Sequence, residues 1–95
     1  MSSHYTRVLQ TEGVRCRNED GGRHLLYHSQ TDQLHMVDGI GKAIYDLCVD
    51  DSIDDVVHHG GKLLAESNGA DERQARTEVL TFLCELQRRS LVEFL

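Results

Sequence analysis

At Asp38 the apolar residues stop recurring at every second position and begin recurring at every third or fourth. That single change of period divides the chain into a strand-forming part and a helix-forming part. Upstream, Val14 and Cys16 alternate with Arg15 and Arg17. A run His24-Leu25-Leu26-Tyr27-His28 follows, and then Gln33-Leu34-His35-Met36-Val37, in which Leu34 and Met36 share a face. The connections are short and polar: Asn18-Glu19-Asp20-Gly21-Gly22-Arg23, built on Asp-Gly, and Ser29-Gln30-Thr31-Asp32. Loops this short exclude parallel crossovers, so the three runs form an antiparallel meander whose first and third strands are both edges.

Downstream, Ile40, Ala43, Ile44, Leu47 and Cys48 follow helical spacing, with Asp38 placed to accept from the free N–H groups of the first turn. Ser52 with Asp55 resembles a capping box for a second helix along Ile53, Val56 and Val57. Gly60-Gly61 is expected to interrupt or end it, because glycine is costly in a helix interior. Asn68-Gly69 is a stop signal, and Asp71 with Gln74 opens a third helix that Ser90 ends. Ala75, Val79, Phe82, Leu83 and Leu86 form the main stripe of that helix. Residues 91–95 read as a short terminal strand or a packed tail.

The chain is thus α+β: a three-stranded antiparallel meander followed by three helices, an arrangement that also describes a winged helix-turn-helix. Residues 1–11 are polar and aperiodic and read as a flexible tail; residues 12–95 are the domain. The expected core is Ile44, Leu47, Val56, Val79, Phe82 and Leu86. A chain of 95 residues supports one core and leaves little room for a deep enclosed active site.

Charge and composition narrow the function. The formal net charge is −6, the reverse of what a duplex-binding module of this size carries, which disfavours nucleic acid. No apolar run could span a bilayer, and Met1–Arg7 has no apolar signal region, so the cytoplasm is the default location. Cys16, Cys48 and Cys84 are widely spaced and odd in number, with no C-x-x-C pair among them. They read as buried thiols in a reducing compartment rather than as ligands or bridges.

His24, His28 and His35 fall on neighbouring strands and could face one metal, but nothing supplies a fourth ligand at a usable spacing, and solvated histidines are the simpler reading. Asp50, Asp51, Asp54 and Asp55 lack the alternation of a calcium loop and suit a helix N-terminus instead. No nucleophile–base pair or phosphate-cradling loop occurs. The expectation is a protein without catalysis, cofactor or metal.

The third helix carries one surplus. Leu80 and Cys84 are apolar, one turn apart, and lie off the main stripe beside Arg76, Gln87 and Arg88. This second seam reads equally as extra packing or as one wall of a groove for a partner.

Taken together, Leu34-His35-Met36-Val37-Asp38-Gly39-Ile40-Gly41-Lys42-Ala43-Ile44, Ser52-Ile53-Asp54-Asp55-Val56-Val57 and Val79-Leu80-Thr81-Phe82-Leu83-Cys84-Glu85-Leu86 through Leu91-Val92 resemble the PqqD family. These small proteins are also called RiPP recognition elements, and the resemblance spans about residues 12–94. It implies a peptide-binding module that captures the leader segment of a ribosomally made precursor peptide and presents it to a separate maturation enzyme, often a radical SAM protein. The leader adds as a strand to the third strand and packs against the third helix. On this sequence the binding residues are Gln33, Leu34, His35, Met36 and Val37 of the edge and Arg76, Leu80, Cys84, Gln87 and Arg88 of the helix. The alternative is a small winged-helix regulator of DNA or of a protein partner. The exposed edges also admit an edge-to-edge homodimer.

Overall fold

A computed structural model describes residues 5–95. In chain order the elements are β1 (Arg7–Gln10), β2 (Val14–Glu19), β3 (Arg23–His28), β4 (Gln33–Val37), α1 (Gly39–Asp46), β5 (Val49–Ser52), α2 (Ile53–Asn68), α3 (Glu72–Arg88) and β6 (Val92–Phe94). The expected meander is β2-β3-β4, antiparallel throughout, with β4 paired to β3 alone among the described residues. Asp38 caps α1, its carboxylate accepting from the Gly41 N–H at 2.7 Å. Ser52 caps α2 by accepting from the Asp55 N–H, and Gly69, at φ 69°, ends that helix. Asp71 occupies the N-cap of α3 without a capping hydrogen bond from its side chain.

A second antiparallel sheet, β5-β1-β6, corrects the expected tail. Residues 1–4 of that segment lie outside the described residues, but Arg7–Gln10 forms its central strand and Val8 is fully buried. Four residues are too few to show a period, and β1 is held by partners some 40 and 80 positions away: Val8 opposes Asp51 and Phe94. β5 was hidden by its own sequence, Val49-Asp50-Asp51-Ser52. Its acidic residues read as a break, yet Arg7 donates to the Asp50 carboxylate at 2.9 Å across the pair. That hydrogen bond holds Asp50 below the usual carboxylate range. Of the two readings for the C-terminus, the strand is the one realised.

Gly60-Gly61 does not end α2, which runs unbroken from Ile53 to Asn68. Both glycines are buried where α3 crosses. A Cβ on Gly60 would stand 3.1 Å from Val79 Cγ1, and one on Gly61 2.6 Å from Arg76 Cγ. The pair therefore sets how closely the two helices approach, and the packing gained outweighs the poor helix propensity.

The core joins both sheets to all three helices through Val8, Leu26, Ile44, Val56, Val79, Leu83, Leu86, Leu91 and Val92. Ile44, Val56, Val79 and Leu86 lie inside as expected, whereas Leu47 and Phe82 are only half-buried. Among the cysteines only Cys48 is buried; Cys16 and Cys84 are exposed. Burial pushes the Cys48 thiol up to about 12, so it is inert near neutral pH. No helix among the described residues is long and apolar enough to cross a membrane.

Candidate functional site

β4 forms the open edge of the meander. Alternation along it turns His35 and Val37 toward the helices and leaves Leu34 and Met36 outward, 58% and 45% exposed. The backbone alternates as well. The His28 carbonyl closes the β3-β4 turn by accepting from the Asp32 N–H, so His28 and its partner Gln33 direct their backbone groups toward each other. Gln33, His35 and Val37 then pair with β3, and Leu34 and Met36 hold their N–H and C=O groups to the open side. The Leu34 carbonyl accordingly accepts from the Arg89 guanidinium at 3.4 Å, at the C-terminal end of α3.

The face of α3 nearest this edge carries Glu78, Phe82, Glu85 and Arg89. Phe82 packs on His35 with ring centroids 6.2 Å apart. Arg89 also donates to Glu85 at 2.7 Å and Arg88 pairs with the same carboxylate, which lies below its usual range chiefly through the Arg89 hydrogen bond. Toward the other end of β4 the groove deepens into a cavity of about 290 Å³ lined by Met36, Val37, Ile40, Leu64, Glu78 and Phe82, among others. Gly41 keeps its floor open, because a Cβ there would meet Val37 Cβ at 2.9 Å and the Phe82 ring at 3.3 Å.

The expected edge, Gln33 to Val37, is thus assembled beside α3, but the expected helix wall is not. Helical phase turns Leu80 and Cys84 away from β4, to an exposed face. Arg76 packs over Gly61 of α2. Gln87 borders a shallow depression with Thr11, Val92 and Phe94, on the β6 side. Arg88 reaches the groove only through Glu85. The wall that faces the edge is Phe82, Glu85 and Arg89, at i, i+3 and i+7. That spacing is present in the sequence, but Phe82 counts there toward the core stripe, and nothing local marks Glu85 and Arg89 as facing a strand edge.

Among the described residues no group of His, Cys, Asp and Glu could hold a metal ion. His28 is buried rather than solvated, its Nδ1 accepting from the Gln30 N–H, and His24 Nδ1 bonds to Asn18. His35 has its pKa lowered, first by burial and then by the Arg89 charge, with Glu85 opposing. The folded chain therefore favours neutral His35, and the unfolded chain takes up a proton first as pH falls. The stability that neutral His35 contributes is whole above its ordinary value of 6.5 and is lost as pH drops through 6.5 toward the lowered folded value. Melting temperatures of the wild type should fall more than those of His35→Gln between pH 7.5 and 5.5, both set about the ordinary imidazole range.

A family model described as "Coenzyme PQQ synthesis protein D (PqqD)" matches residues 23–92. No curated protein matches the chain. The fold is similar to a solved structure titled "TbiB1 in Complex with the TbiA(beta) Leader Peptide" at 18% identity and a TM-score of 0.70, covering 90% of this chain and 94% of that one.

Proposed function

The chain belongs to the PqqD family, and from that footing we propose that it binds the leader segment of a ribosomally made precursor peptide on the edge of β4. It then presents the peptide to a separate maturation enzyme, such as a radical SAM protein, and carries out no chemistry itself. The observation that carries this reading is the edge of β4, where the Leu34 and Met36 N–H groups face away from β3 beside a cavity lined mostly by apolar side chains. Backbone pairing to an added strand supplies affinity without regard to sequence. The cavity over Phe82 and Ile40 selects for an apolar side chain. The fold of this chain is that of a protein solved with a leader peptide, which supports the same mode.

The winged-helix regulator is less well served by the charges. On α3, Arg88 and Arg89 are both engaged by Glu85, and Glu72 and Glu78 share the helix with Arg73 and Arg76. Titration of fluorescent peptides, made from short reading frames found near the gene for this chain, against the purified protein tests the assignment. Saturable binding of the leader, with no salt-dependent shift of duplex DNA, is expected; DNA binding without leader binding overturns it.

Phe82→Ala separates the site from the core. Because Phe82 is half-buried, its truncation should cost less than the roughly 3–5 kcal/mol of a fully buried phenylalanine. Leader affinity should still fall about tenfold, as expected when an aromatic anchor of an interface is removed. Denaturant melts and the same peptide titration read the two effects side by side.

A further inference from the structure

The meander has a second face, turned away from the helices, that leader capture leaves unused. Leu26, His28 and Val37 point inward and are buried, so Leu25, Tyr27, Leu34 and Met36 point outward. The register stacks them in two rows: Arg17 opposes Leu25, which opposes Met36, and Arg15 opposes Tyr27, which opposes Leu34. Leu34 and Met36 are among the most exposed large apolar residues described. The far rim carries Arg15, Arg17 and, at the start of β3, Arg23, against one carboxylate, Glu19, which pairs with Arg17 at 3.1 Å. A basic rim is the exception on a chain of net charge −6.

We propose that this outward face docks the protein that acts on the bound peptide, through an apolar patch rimmed by carboxylates. The inference rests on the leader-binding reading, because the geometry of strand addition picks the occupant. A peptide strand on β4 lies about 4.8 Å beyond it and sends alternate side chains to opposite faces. One set is buried against α3. The other set emerges in line with Leu34 and Met36 and widens the same apolar rows by one strand. A protein seated there touches carrier and peptide together, whereas one seated on the helices meets the carrier alone. The arginines speed and orient the encounter with an acidic rim, and the apolar rows hold it.

The test uses the full chain, the fluorescent leader peptide that the titration above identifies, and a purified candidate maturation enzyme from a reading frame neighbouring the same gene. Two variants are made, Arg15→Glu/Arg17→Glu and Tyr27→Ala; neither lies on β4 or α3. Both should bind the leader peptide as the wild type does, within about twofold, while the enzyme's affinity for the leader-loaded carrier falls about tenfold or more. Enzyme affinity unchanged in both variants, with leader binding intact, overturns the docking surface alone. Failure of the wild type to bind the leader overturns the reading beneath it. A wild-type dimer by light scattering that dissociates in Tyr27→Ala assigns the face to a second copy and also overturns the proposal.

Discussion

Met36→Pro should abolish most leader capture while leaving a folded, cooperatively melting domain. β4 pairs with β3 through Gln33, His35 and Val37, so the Met36 N–H takes no part in that ladder. Proline at an outward edge position is tolerated for this reason, and His35 before it is already extended, as a residue preceding proline must be. An incoming strand loses one donor at Met36 and meets the pyrrolidine ring where its own carbonyl should lie. A typical net hydrogen bond is worth about 0.5–1.5 kcal/mol, so its loss together with the steric block should weaken binding about tenfold or more. His35→Pro is the matched control: it removes a donor from the β3 ladder and should damage the fold instead. Peptide titration and thermal melts of the two variants check the alternation directly. Equal loss of folding in both would show that the backbone phase of β4 is reversed.

Leu83→Ala should be among the most damaging truncations in the chain. Leu83 has 0% exposure and sits in the core that ties α3 to both sheets. Removing a fully buried leucine costs about 3–5 kcal/mol, a large part of the roughly 5–15 kcal/mol that holds a domain of this size. The melting temperature should drop by about 15 °C or more. Leu80, three residues earlier, is 44% exposed, and Leu80→Ala should cost within about 0.5–1 kcal/mol. Chemical denaturation of the pair measures the helical phase of α3. Similar losses from both would contradict it, and with it the assignment of Phe82, Glu85 and Arg89 to the groove.

What was legible in the sequence was whatever repeats locally. The alternation of Leu34 and Met36, the helical spacing of Ile40, Ile44 and Leu47, and the caps Asp38, Ser52 and Gly69 each express short-range physics. The meander and the helices appeared where these patterns put them. β1 and β5 were missed because each has four residues and is held by partners remote in the chain, a constraint that no local period encodes. Gly60-Gly61 was misread for a related reason. Its propensity argues for a break, while its role, close contact with Val79 and Arg76, exists only after α2 and α3 meet.

The site divided along the same line. The edge strand was legible because a meander must end in one. The helix wall was not, because apolar residues off the main stripe are ambiguous. Leu80 and Cys84 looked like the spare seam, yet the groove is walled by Phe82, on the shoulder of the stripe, and by the charged pair Glu85 and Arg89. An ion pair whose arginine also reaches a strand carbonyl could not be distinguished from solvated surface before the strand was placed.

Backbone amide NMR of the uniformly labelled protein, titrated with its leader peptide, tests strand addition to β4 most directly. The Leu34 and Met36 amides should shift strongly and become protected from hydrogen exchange as they donate to the peptide. His35 and Val37, already paired to β3, should change less in protection, and the Phe82 ring and Arg89 side-chain signals should move with them. Shifts confined to β2, or to the Leu80–Cys84 face of α3, with residues 33–37 silent, would contradict the account.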